Sequence, residues 1–198
     1  MRLGKVVRSN SHCDYIIQLD DEMDVVDPPQ ADDYGFGSFV KLETEDRHWA
    51  VGLIYNSQLF NPAFLNTGPR LVSNPDPFFT PDLIQETHVL LWTVLIGTLN
   101  TAGKQSYGNQ GIPATVVPVN TPVWTMAANE VYAFHRNEDQ QPQLSYYSHL
   151  LRSGGLFASQ LVEQVLEQVS DLFEGSDRRA LEILRKELLW KHTMGMMR

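Results

Sequence analysis

The chain has 198 residues, 42% of them hydrophobic, enough for one medium domain or a small domain with an appendage, and a formal net charge of −9. The charge is uneven: residues 1–135 hold 15 acidic against 7 basic side chains, a net −8, whereas residues 136–198 hold 9 against 8, a net −1. An acidic front domain repels phosphate backbones, which argues against broad nucleic-acid binding, and the single cysteine, Cys13, excludes an intrachain disulfide and fits a reducing compartment.

The longest apolar run, Val89 to Gly97, is about nine residues, and a membrane-spanning helix needs roughly 20. Met1 to Val7 carries positive charge with no continuous apolar segment behind it, unlike a signal peptide. A soluble, cytoplasmic protein is expected.

Leu3 to Arg8 predicts a first strand, β-branched at its middle. The turn cluster Asn10-Ser11-His12 leads to a second strand over Cys13 to Leu19, and the short connection predicts an antiparallel hairpin. Asp20 to Asp33 holds seven carboxylates and Pro28-Pro29. It lacks the alternating ligands, central glycine and terminal glutamate of an EF-hand, so a solvated loop is expected, with a cation or partner contact as the alternative.

Phe39 to Glu43 predicts a third strand with one wet face, entered through Gly35 and Gly37. That Gly-x-Gly precedes a strand, so it suits a bend better than a nucleotide loop. Arg47 to Ser57 is the central strand of the pattern. Gly52 at its middle predicts a sharp bend or a close backbone contact of the kind barrel corners require.

Gln58 to Pro81 is a long, proline-rich stretch whose Phe60, Phe64, Phe78 and Phe79 need burial or a partner. Connections beyond ~15 residues are uncommon inside a compact domain unless they carry function, so these four are candidate docking residues. One helical turn is expected over Pro81 to Glu86. His88 to Leu99 is rich in β-branched residues and predicts a buried strand, with Gly97 repeating the late-strand glycine. Asn100 to Gly111 reads as a flexible turn, Ile112 to Trp124 as extended segments broken by prolines, and Val131 to Phe134 as a last short strand.

Across the polar stretch Arg136 to Gln143 the pattern becomes helical. Leu161, Val162, Val165, Leu166, Val169, Leu172 and Phe173 form a wide apolar stripe. Gly175 is expected to end that helix, with Ser176 or Asp177 capping the next, whose inner face is Leu181, Leu184 and Leu188. The two predict an antiparallel helical hairpin. Its basic residues Arg178, Arg179, Arg185 and Lys186 are interleaved with Asp177, Glu182 and Glu187, which suits a solvated, ion-paired face.

No catalytic, cofactor or metal motif emerges. His12 and Cys13 are adjacent on a strand and point to opposite faces, so they form no nucleophile–base pair. The six histidines show no metal-ligand spacing. Gly103-Lys104-Gln105-Ser106 lacks the upstream glycine and the Gly-Lys-[Ser/Thr] tripeptide of a phosphate loop. Trp49, Trp92, Trp124 and Trp190 fall one per element, which suits core positions better than a base-stacking platform.

Leu-Gly-Lys-Val-Val at 3–7, Tyr-Gly-Phe-Gly-Ser-Phe-Val at 34–40, Trp-Ala-Val-Gly-Leu-Ile at 49–54, Val-Leu-Ile-Gly at 94–97 and the proline-rich 112–123 together resemble the HAS barrel. This is the small β-barrel at the N-terminus of HerA-type DNA-translocating ATPases, related to the N-terminal barrel of the ATP synthase α and β subunits. The resemblance covers roughly residues 2–135. It implies a barrel that packs subunits into rings and docks partners such as nucleases, with no catalytic residues of its own. The ATPase core of that family has no counterpart here, since the chain carries no Walker A motif.

The expected architecture is therefore mainly β with α: a small closed antiparallel-type barrel over residues 1–135 and a C-terminal helical region over residues 136–198. The expected function is a non-enzymatic assembly or adaptor module, without cofactors, that docks onto a protein partner or self-associates; a HerA-like ring ATPase or DNA-processing complex is the implied partner. The candidate docking residues are Phe60, Phe64, Phe78 and Phe79 with Leu161, Val165 and Leu172, and the structural glycines are Gly4, Gly35, Gly37, Gly52 and Gly97. Two alternatives remain: a barrel for single-stranded nucleic acid, and an enzyme or small-ligand site in the barrel mouth.

Overall fold

A computed structural model of the chain describes residues 1–22, 24–60, 88–101, 105–153 and 155–196. Seven strands run in the order β1 (Arg2–Ser9), β2 (Asp14–Leu19), β3 (Phe39–Glu43), β4 (His48–Phe60), β5 (His88–Asn100), β6 (Tyr107–Gln110) and β7 (Pro122–Thr125). Four α-helices follow: α1 (Ala128–Phe134), α2 (Tyr147–Ser153), α3 (Ala158–Asp171) and α4 (Gly175–Met196).

The sheet order is β2-β1-β7-β3-β4-β5-β6, every pairing is antiparallel, and β2 also pairs with β5. That last pairing, Asp14↔Val94 through Gln18↔Leu90, closes six strands into a barrel and leaves β6 outside it. The closed antiparallel barrel followed by helices is the fold the strand pattern predicts. β5 makes closure possible by changing partners. Its first half pairs with β2, and its last residues, Gly97 to Asn100, pair with β6.

Period-2 alternation sorts the strand residues into two cores. Val40, Leu42, Ala50, Ile54, Leu91 and Leu95 point into the barrel with Leu3, Ile17 and Val123. Phe39, Val51, Leu53, Val94 and Ile96 point outward and are covered by α1, α2 and α3. Ala50 to Ile54 of β4 and Thr93 to Gly97 of β5 are therefore buried on both faces, which explains their near-continuous apolar runs. The outer core joins residues on both sides of position 135, so the helices seal one wall of the barrel.

The glycines sit where neighbouring chains crowd. A Cβ at Gly4 would strike the Gln18 carbonyl, at Gly52 the Thr93 side chain, and at Gly97 the Asn109 carbonyl. Gly35 meets only ordinary contacts, with Ser38 Oγ at 3.7 Å.

Four sequence expectations need correction. Val131 to Phe134 lies in a helix, not a strand. The Glu130 carboxylate accepts the Ala127 N–H at 2.9 Å and caps its first turn, and the three-residue spacing of Val131 and Phe134 seats both on the outer core. Asn100 to Gly111, expected to be a flexible turn, contains β6, and of the segment 112–124, expected to be extended throughout, only Pro122 onward forms a strand, β7. Trp190 is 68% exposed and so lies outside the core. The expected turn at Pro81 to Glu86 lies outside the described residues.

Two glutamines fasten β6 to the start of the helical region. Gln110 Nε2 donates to the carbonyls of Phe134 and Gln143 at 3.1 and 3.2 Å, and its Oε1 accepts the Ser145 N–H at 2.7 Å. Gln143 Nε2 donates to the carbonyls of Gly108 and Arg136 at 2.6 and 2.9 Å. Gln110→Ala leaves three backbone groups without these bonds and is expected to cost about 2 kcal/mol. Chemical denaturation with an unchanged m-value checks it.

The helical hairpin forms as expected. Arg178 pairs with Asp171, and Arg185 with Glu163 and Glu167, at 3.2 to 3.7 Å, which sets α3 and α4 antiparallel; Arg178 also pairs with Glu182 within α4. Gly175 is the first residue of α4 itself, one position before the expected caps.

Candidate docking cleft

β3 and β4 part company at Gly37. The Ile54 N–H donates to the Ser38 carbonyl at 3.0 Å, and the Gly37 N–H donates to the Ile54 carbonyl at 2.8 Å. Gly37 has a φ of 85°, the left-handed region glycine tolerates. There the line of β3 turns away from β4. Gln164 of α3 fills the space a Cβ would take, 3.2 Å from that position, and its Nε2 donates to the Phe36 carbonyl at 2.8 Å.

The divergence opens a cleft of about 280 Å³ lined by Tyr34, Gly35, Phe36, Ile54 to Ser57, Phe157 and Gln160. Phe36 and Phe157 meet edge to face with ring centroids 6.3 Å apart. Beyond the cleft β4 continues, paired with β5 as far as Phe60↔His88. Leu59 and Phe60 on the same strand and Phe157 at the cleft itself are exposed apolar side chains. Exposed apolar side chains gathered around a concave feature mark contact sites.

Tyr55 stands on the cleft wall and its O–H donates to Asp14 Oδ1 at 2.8 Å. Burial, aided by that bond and by the Asp14 charge, raises the phenol far above its usual value, so it stays protonated and acts as a fixed donor. Tyr55→Phe is expected to cost about 1 kcal/mol. A larger loss in equilibrium unfolding would mean that Tyr55 does more than hold Asp14.

The predicted docking residues fall in different places. Phe60 is the last residue of β4 and lies partly open. Phe64, Phe78 and Phe79 lie outside the described residues. Leu161 and Val165 are 0% and 1% exposed, buried against the barrel wall, and Leu172 packs half-buried on the same cluster. Their apolar surface holds the helices to the barrel. The sequence reading did not single out Tyr34, Phe36, Tyr55 or Phe157 as a group. The available signal was Leu156-Phe157, an apolar pair standing just ahead of the helical stripe.

Other polar groupings in the fold are ties. Lys41 bridges Glu130 at 2.7 Å and Glu43 at 2.8 Å. Burial alone would lower its pKa, but the two carboxylates outweigh that and raise it. Asp20 is buried with Arg2 Nε 2.8 Å away, and burial raises its carboxyl despite that charge. Ser153 Oγ lies 3.3 Å from His149 Nδ1 along one helix, with no carboxylate bonded to that ring among the described residues. Among the described residues no three His, Cys, Asp or Glu side chains are placed to hold a metal ion, and no helix is long and apolar enough to cross a membrane.

The architecture defines a closed six-stranded antiparallel barrel with an added strand and a helical wall, carrying an open cleft at one sheet edge. The chain belongs to the family described as "Domain of unknown function (DUF8166)", whose profile matches residues 1–198. No curated protein matches it.

Proposed function

We propose that this chain is a non-catalytic assembly module that docks onto a protein partner through the face where the barrel meets its helices. The observation that carries this reading is the open cleft between Tyr34–Phe36 and Tyr55–Ser57, with apolar side chains exposed at it and along the β4 continuation. A ring ATPase of the HerA type, or a DNA-processing complex built on one, is the partner class that the resemblance to HAS barrels supplies. The acidic front domain favours a protein over a nucleic acid. A reducing cytoplasm suits the lone, buried Cys13.

Affinity capture of the full chain from its native cells, with size-exclusion chromatography of the purified protein, tests the reading. A defined protein partner is expected. A strict monomer that captures none contradicts it.

A further inference from the structure

We propose that the cleft receives an extended, positively charged peptide segment of a protein partner, paired as an added strand along β4 from Tyr55. This rests on the docking reading above and gives it a mode.

Three observations carry the inference. First, the ladder between the β3 line and β4 ends at Ile54, yet β4 remains a strand to Phe60. β5 supports its other edge over Asn56↔Trp92 to Phe60↔His88. The cleft is open space beside Tyr55 to Ser57, where the β3 line would have continued had it not turned off at Gly37. An extended backbone can fill such a gap because its N–H and C=O groups repeat at the strand's own spacing.

Second, Tyr55-Asn56-Ser57-Gln58-Leu59-Phe60 contains no charge and no proline. Open edges are ordinarily protected from strand addition by lysine, proline, inward charges or a bulge. This one has a register shift between Ile54 and Asn56, and the Ser57 N–H donates to Asn56 Oδ1 at 3.0 Å, but it carries no lysine, proline or charge.

Third, the electrostatics select the occupant. Among the described residues, no lysine or arginine lines the cleft. Asp14 is bonded to Tyr55 on the wall, and residues 1–135 carry a net charge of −8. A second copy would bring the same net charge of −9 to the contact, which opposes self-pairing. A cationic strand is complementary to it. Its alternate side chains would meet Phe36 and Phe157, so apolar residues interleaved with lysine or arginine fit best.

The test titrates the full chain with a short synthetic peptide alternating Lys with Val and Phe. Two controls are the same peptide N-methylated at every second residue and its Lys-to-Glu counterpart. Amide shifts by NMR and anisotropy are the readouts. The Lys peptide is expected to bind at low salt with shifts concentrated at Gly35–Gly37 and Tyr55–Ser57. N-methylation is expected to weaken it at least about tenfold, equivalent to about 1.4 kcal/mol, and the Glu peptide is expected not to bind. Phe157→Ala, at a half-exposed side chain, is expected to weaken binding while lowering the melting temperature by only a few degrees.

Equal binding of the N-methylated peptide, shifts elsewhere on the barrel, no binding by any peptide, or a dimer whose contact maps to Tyr55–Ser57 would each overturn the inference. If native-cell capture recovers a partner that Phe157→Ala and Ser57→Pro hold as well as the parent chain does, docking stands and this mode of it fails.

Discussion

Gly108→Ala is expected to lower stability by about 3 kcal/mol or more. A Cβ at this position would overlap the Phe134 carbonyl oxygen and sit 2.7 Å from its carbon, and both atoms are backbone. Relief would require β6 to move. It is pinned from both sides: the Gly108 N–H donates to the Arg136 carbonyl at 2.9 Å, and the Gly108 carbonyl accepts Gln143 Nε2 at 2.6 Å. The substitution therefore prises the helical wall off the barrel at its hinge. For a chain of this size, 3 kcal/mol corresponds to a fall in melting temperature of roughly 10 °C. Gly111→Ala is the control. Nothing stands within 4 Å of a Cβ there, so only its φ of 133° resists the change and the loss is smaller. Equal melting temperatures for the two variants would contradict this account of the β6 contact.

The second large effect is an acid transition centred on His135. The ring is wholly buried between Phe39, Phe134 and Tyr146. Its Nδ1–H donates to the Val131 carbonyl at 2.7 Å, and its Nε2 accepts the Tyr146 O–H at 2.6 Å. Both bonds suit the neutral ring. Burial holds the folded pKa down at about 4, against an ordinary 6.5. The sign follows from linkage. Above pH 6.5 both folded and unfolded chains carry a neutral ring and no stability is lost. As pH falls from 6.5 to about 4 the unfolded chain takes up the proton first, and the fold loses roughly 3 kcal/mol, fully lost once pH passes below the folded value.

His135→Leu removes this acid sensitivity at a cost. It strands the buried Tyr146 hydroxyl, which is worth about 1–3 kcal/mol. Adding Tyr146→Phe recovers much of that, so the double variant is expected to be flatter in pH than the parent and more stable than His135→Leu alone. Asp20 acts in the opposite sense. Its raised carboxyl means the charged form is the disfavoured one, so its penalty is relieved on acidification. Unfolding free energies measured from pH 7.5 to pH 4 separate the two: a parent slope that survives His135→Leu would assign the transition elsewhere.

The strands were legible because their burial is regular. β1 to β5 each carry β-branched residues, and the two-sided burial of Ala50 to Ile54 in β4 and Thr93 to Gly97 in β5 appears as apolar runs with a glycine where another strand presses close. The α3 stripe was equally plain. The direction in which it faced was not, because Leu161 and Val165 read the same whether they meet the barrel or a partner. α1 was misread because Val131 to Phe134 has strand-like composition. Its helix is decided by the Glu130 cap and by the docking of Val131 and Phe134 on the outer core. β6, Tyr-Gly-Asn-Gln, has little strand propensity. Close packing against Gly97 and side-chain bonds from Gln110 and Gln143 hold it extended. The cleft was hidden for a different reason: Phe36 and Phe157 are far apart in the chain, and only the folded barrel brings their rings together.

Amide hydrogen exchange on the full chain, with and without the partner recovered from its native cells, tests the proposed docking most directly. Slowed exchange concentrated in residues 34–38 and 54–60 is the predicted result. Protection confined to the proline-rich 112–121 stretch or to the outer face of α4, with 34–38 and 54–60 unchanged, would contradict it.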